Sequence, residues 1–199
     1  MIIYRIPPEA EDETVCFSLI GQQQNGGEPA GEVMLVPRGA QMDACFDGII
    51  LYLGAPPEPD RQPLSAQTLL PVSFAARFSE NPVYLSSQLT HGTLREHLMR
   101  GLDRCGDRLW LLIEPYCTLF PLPCPKKAGV RISRAASAIL RAEHAPCYTE
   151  TFCCNYCAPL PPEAGLHLYD TQDTIAQKLA LAAALGVQNV IVLPLWQES

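Results

Sequence analysis

The chain has 199 residues, 48% of them hydrophobic and 18% charged, a balance that supports a sizeable core and argues against disorder. Twenty-one acidic against fourteen basic residues leave a formal charge of −7, so the net field opposes phosphate and nucleic acid is not an expected partner. The longest apolar stretches, 109–125 and 179–196, are interrupted by Glu114 and prolines or by Gly186, Gln188 and Asn189, so no membrane span is expected.

Taken in chain order, strands are predicted at 2–6, 14–20, 32–36, 48–53, 82–85, 109–113, 151–156, 166–169 and 189–193. Residues 49–53, 109–113 and 190–193 are continuously apolar rather than alternating, the pattern of parallel strands covered on both faces. Thr93-Leu-Arg-Glu96 reads as a capping box opening a helix, with Leu94, Leu98 and Leu102 along one side and Gly106 at its end. A second helix is predicted over 133–142 with Ala136, Ile139 and Leu140 inward. A third covers 171–185, capped by Asp170, with Ile175, Leu179 and Ala182 as its stripe and Gly186 as its stop. Strand 166–169, this helix and strand 189–193 read as a βαβ unit, which forces a parallel pair. The nineteen prolines, about twice the usual ~5% share, gather in loops at 54–63, 115–125 and 159–162. The expectation is one α/β domain, strand-rich over 1–63 and α/β over 64–199, with a mostly parallel sheet and covering helices in a partial or degenerate TIM-like barrel.

Residues 1–8 run at once into Glu9, Glu11, Asp12 and Glu13 without the pattern of a secretion signal. With nine cysteines, an odd number, the expectation is reduced thiols in a cytoplasm, most of them, like Cys16 and Cys117, acting as core filler. His144, Cys147, Cys154 and Cys157 form the one cluster of soft ligands. It reads either as a zinc-stabilised interaction domain or as buried and edge-strand thiols, and no other cofactor is indicated. His91 and His97 lack a third partner at ligand spacing and read as solvated, and the glycines of 21–27 read as a turn.

The segment 166–196, with Tyr169-Asp170, Asp173-Thr174-Ile175, Lys178, Gly186 and Trp196, resembles the closing unit of glycoside hydrolase family 18 barrels of the chitinase or spore cortex-lytic type. In that family an aromatic-acid pair ends a strand, a helix of the type D-x-x-S/T-I-x-x-K follows, and a strand then reaches a tryptophan. Residues 108–116 look like the family's strand ending in Pro-x-Tyr, and 132–140 like the helix after it. The resemblance implies a barrel and a saccharide ligand. The family's catalytic strand reads D-G-x-D-x-D-x-E, and Asp47-Gly48 begins in the same way, but Ile50, Tyr52 and Gly54 would fill its carboxylate positions. None of the three holds a proton near neutral pH, so the resemblance implies loss of substrate-assisted hydrolysis. Too few residues precede this strand for the usual barrel plan.

In a barrel, function gathers where strands end, which singles out Glu114 and Asp170. As a pair they suit glycoside hydrolysis; singly they read as a loop acceptor and a helix cap. Tyr116, Tyr169 and Trp196, with Phe120, Tyr148 and Tyr156, read as a sugar-stacking platform or as core. The leading expectation is a non-catalytic glycan-binding or protein-interaction module, the alternative a hydrolase using Glu114 and Asp170. The sequence leaves the oligomeric state open.

Overall fold

The computed structural model describes residues 1–5, 16–17, 20–23, 33–36, 48–53, 64–89, 91–122, 129–158 and 165–193. In chain order the elements are β1 (Ile2–Arg5), β2 (Cys16–Phe17), β3 (Ile20–Gln23), β4 (Val33–Val36), β5 (Ile49–Tyr52), β6 (Thr68–Pro71), β7 (Val83–Ser86) and α1 (Leu94–Cys105). There follow β8 (Leu109–Ile113), β9 (Cys117–Pro121), β10 (Val130–Arg131), α2 (Arg134–Glu143), β11 (Cys147–Thr149), β12 (Cys154–Cys157), β13 (Gly165–Tyr169), α3 (Gln172–Ala184) and β14 (Asn189–Val192).

Nine strands form one sheet in the order β2-β4-β5-β6-β7-β8-β14-β1-β3. Every pairing from β4 to β1 is parallel, and the two outermost strands run antiparallel to their neighbours. Those outermost strands are separated in the chain by residues 18 and 19 alone. Three Cα steps reach about 11 Å, whereas nine strands laid flat would hold their edges about 38 Å apart. The sheet therefore curls back on itself, and with α1 and α3 outside it the fold is a partial (β/α) barrel of the α/β class.

Side chains of successive residues face opposite ways, and the core divides accordingly. Ile50, Tyr52, Leu70, Val83, Leu109, Leu111, Ile113, Val190 and Val192 pack outward against Leu94 and Leu98 of α1 and Ile175, Leu179 and Ala182 of α3. Tyr4, Leu51, Leu69, Tyr84, Leu112 and Ile191 fill the concave side, joined by Trp110, whose ring stacks on Tyr4 at 5.4 Å. Across that side Tyr84 Oη donates to Tyr52 O at 2.9 Å, reaching past the intervening β6. Both faces are dry, which is why β5, β8 and β14 read as unbroken apolar runs. Gly101 lets α1 approach β8 closely: a Cβ there would stand 2.8 Å from Leu109 Cδ2.

Two sequence expectations are corrected by this topology. Strand β13 does not belong to the parallel sheet; it lies in a second, five-stranded sheet, β10-β9-β13-β12-β11, antiparallel throughout. The parallel pair joined through α3 is β8 and β14, and residues 117–169 are spliced between β8 and α3. A helix that follows one strand and precedes another does not require those two strands to pair. Helix α2 belongs to the spliced unit; of the predicted inward stripe Ala136 and Leu140 are half-buried, but Ile139 is 56% exposed and Ser137 is buried in its stead.

Candidate functional site

Strands β7 and β8 end side by side, Ser86 opposite Leu112. Glu114 continues the inward row of Trp110 and Leu112, so its half-buried carboxylate stands at the mouth of the concave side. Ser86 Oγ donates to Glu114 Oε2 and accepts from Gln88 N at 3.0 Å. Ser87 Oγ accepts from Glu114 N at 3.1 Å and lies 3.2 Å from Glu114 O, and Gln88 Nε2 donates to Pro115 O at 3.2 Å. The loop after β7 thus holds Glu114 in place.

Asp170, the other predicted acid, has a different environment. It is buried, and its Oδ2 accepts from Tyr116 N at 2.7 Å and from Lys178 Nζ at 2.6 Å, while Oδ1 accepts from Thr174 Oγ1 at 2.7 Å. Its own N–H donates to Tyr116 O at 3.1 Å. Asp170 does not cap α3: Thr171 does, through a capping box with Thr174. The side chains of Lys178 and Asp170 are both fully enclosed, and the lysine cation also lies 5.0 Å from the centre of the Tyr116 ring. Enclosed and already holding three donors, this carboxylate lacks the exposure that an acid facing a substrate needs.

Tyr116 and Tyr169 do not form a stacking platform. Tyr116 is 4% exposed, its hydroxyl accepts from Leu89 N at 2.6 Å, and burial raises its pKa well above the ordinary tyrosine value. Tyr169, 5% exposed, stacks on His167 at 5.2 Å beneath Arg141 of α2. Trp196, Gly54 and Asp47 lie outside the described residues. Ile50 and Tyr52, which the Asp47-Gly48 match would set at carboxylate positions, pack in the core on the helix side of the sheet. Four short strands, β1 to β4, precede β5 within 48 residues.

The four soft ligands do not converge. Cys154 faces Tyr116 and Leu168, Cys157 faces Leu140 and His167 on the opposite side of β12, and Cys147 is exposed on the edge strand β11. Residues three apart on a strand point to opposite faces, which no zinc knuckle tolerates. Among the described residues no group of three or more His, Cys, Asp or Glu is placed to hold a metal ion. Burial, with Asp170's charge second, pushes the Cys154 thiol up to about 12, and burial raises the Cys157 thiol, both away from the thiolate form a metal takes. Cys117, buried with its Sγ 3.4 Å from Ile132 O, is the core filler its context predicts.

What the second sheet does offer is a groove. One of its faces lies under α2; the other, carrying Tyr156, Leu166 and Leu168, forms an open cleft of about 410 Å³ with Tyr148, Thr149, Glu150 and Phe152. Phe152 meets Tyr116 edge-on at 6.3 Å, so the cleft adjoins the turn that carries Glu114. Tyr148 is 43% exposed, and its hydroxyl donates to Cys153 Sγ at 3.3 Å. Of these residues, sequence reasoning named Tyr148 and Tyr156 and missed Phe152, which lies in the turn before β12, outside the regular alternation.

No protein family matches the chain, and no curated protein matches it in sequence. Among solved structures the chain is similar to the spore cortex-lytic enzyme SleL of Bacillus megaterium QM B1551, with 12% identity and a TM-score of 0.49 over 75% of this chain and 38% of that one. It is also similar to the spore cortex-lytic enzyme SleL of Bacillus cereus, with 14% identity and a TM-score of 0.47 over 63% of this chain and 37% of that one. The chain spans less than two-fifths of the length of either enzyme.

Proposed function

We propose that this chain is a glycan-binding protein on a glycosidase-like barrel plan, which seats sugar rings in the cleft of the second sheet and does not hydrolyse them by a pair of carboxylates. The observation that carries the reading is the cleft itself: aromatic rings of Tyr148, Phe152 and Tyr156 beside Leu166 and Leu168, with polar groups at Thr149 and Glu150. Pyranose rings present apolar faces edged by hydroxyls, and a wall of flat rings with a few hydrogen-bonding groups matches both. The absence of paired hydrolysis rests on Asp170 being enclosed and bonded by Lys178, Thr174 and Tyr116, which leaves Glu114, directly after β8, without a second exposed carboxylate from the end of β13.

Isothermal titration with chitin- and peptidoglycan-derived oligosaccharides tests the proposal. Binding is expected, and Phe152→Ala or Tyr156→Ala is expected to weaken it roughly tenfold, since a ring contact contributes about 0.5–1.5 kcal/mol beyond its area. Glu114→Gln is expected to leave binding in place, and no new reducing ends are expected from the wild type. Failure to bind either class of oligosaccharide would overturn the proposal, and hydrolysis abolished by Glu114→Gln would replace it with the enzymatic alternative.

A further inference from the structure

The spliced unit leaves the barrel at residues 114–116 and returns at 170, and these two crossings are bonded directly to each other. Tyr116 N donates to Asp170 Oδ2 at 2.7 Å and Asp170 N donates to Tyr116 O at 3.1 Å. The same carboxylate is held by α3 through Thr174 Oγ1 at 2.7 Å and Lys178 Nζ at 2.6 Å. Lys178 also lies against the Tyr116 ring, whose hydroxyl bonds the backbone of Leu89, three residues beyond the serine that holds Glu114. Phe152 of the cleft meets that ring edge-on at 6.3 Å.

From this chain of contacts we infer that Asp170 and Lys178 are positioning residues: their buried ion pair sets the angle of the second sheet on the barrel, and through Tyr116 it places the aromatic wall of the cleft beside Glu114. The inference rests on the cleft being the ligand site. A lysine is a costly choice for an enclosed position on α3 when an apolar residue would pack there without desolvation, and the charge is retained where it grips both ends of the inserted unit. Neither residue touches the cleft, so their effect on a ligand passes through Tyr116 and Phe152.

The test uses the full chain with Asp170→Asn, Lys178→Met and the double variant, and two readouts: affinity for chitotriose and hydrogen exchange of the Tyr116 amide. Each single variant, where folded by circular dichroism, is expected to bind chitotriose roughly tenfold more weakly and to exchange the Tyr116 amide about a hundredfold faster, because one buried charge is left without its partner. The double variant is expected to recover part of both losses. A role confined to overall stability would lower the melting temperature while leaving affinity and Tyr116 exchange in the folded state unchanged, and that result would overturn the inference. If wild-type protein does not bind chitotriose, the exchange arm still decides the clamp while the binding arm removes the proposed function. If neither single variant folds, wild-type exchange decides: protection of the Tyr116 and Asp170 amides equal to that of Leu111 supports the clamp, and exchange at the rate of an open turn overturns it.

Discussion

Replacing His167 with phenylalanine isolates a single buried titration. The imidazole is fully enclosed on β13 with Cys157 Sγ 3.6 Å from Nδ1, and Nε2 has no hydrogen-bond partner among the described residues. Removal from water, reinforced by the Arg141 charge, pushes its pKa from 6.5 down to about 4. The unfolded chain takes up a proton near pH 6.5 that the native state refuses until about pH 4. Stability from this group is therefore complete above pH 6.5 and is lost as pH falls through that window, at about 1.4 kcal/mol per pH unit. Between pH 7 and pH 4.5 the loss is on the order of 2 kcal/mol. Phenylalanine keeps the stack on Tyr169 and removes the proton. Urea unfolding of both proteins at pH 4.5 to 7.5 gives the difference directly, because the carboxylates common to both cancel. The wild type should fall relative to His167→Phe by about 2 kcal/mol across that range. Parallel pH profiles would refute both the depressed pKa and the burial that causes it.

Gly101→Ala should destabilise the protein by about 1 kcal/mol in urea unfolding: the strain of pushing Leu109, 1% exposed and 2.8 Å from the new Cβ, exceeds the ~1 kcal/mol gained in helix propensity. A stabilised variant would contradict the close approach of α1 to β8. Thr93→Ala removes the acceptor of Glu96 N at 3.1 Å and the geometry of the reciprocal Glu96 bond, and should cost about 1 kcal/mol in the same assay. Ile139→Ser should change stability by no more than about 0.5 kcal/mol, since the side chain is 56% exposed; a loss of several times that would restore the inward stripe first expected for α2.

How much was legible follows from what each pattern measures. The apolar runs at β5, β8 and β14 announced strands covered on both faces, and all three run parallel in one curled sheet, β8 and β14 side by side. Capping at Thr93, the Ile175, Leu179, Ala182 stripe and the stop at Gly186, with φ of 85°, are local features, and they stand where the residues put them. Partnership between strands is not local. Strand β13 pairs with β9, about fifty residues earlier, and nothing in its own sequence says so; it reads as buried because α2 covers one face and the cleft residues line the other. Strands β6, β9, β10 and β11 escaped notice because they have two to five residues and lie beside prolines or merge with a neighbouring apolar run, and β3 did because Gly21 and its glutamines read as a turn.

The site was harder to read than the fold for the same reason. Glu114 was found because a carboxylate that ends an apolar strand is visible in one dimension. Asp170 was found too, but its partners are at 116, 174 and 178, and only the last two are near in sequence. A usable signal was present: Lys178 falls on the same helical face as Thr174, Ile175 and Ala182, and a lysine within an apolar stripe eight residues after an aspartate marks an enclosed ion pair. Tyr116 and Tyr169 stayed open between a stacking platform and core because an aromatic at a strand end looks alike whether it caps a core or lines a cleft.

The central claim, that the aromatic cleft of the second sheet receives saccharide, is tested most directly by titrating labelled protein with chitotriose and following which resonances move. Shifts centred on Thr149, Glu150, Phe152, Tyr156, Leu166 and Leu168, saturating together, are predicted by the cleft geometry. Shifts confined to Ser86, Ser87 and Glu114, or none at saturating oligosaccharide, would contradict it.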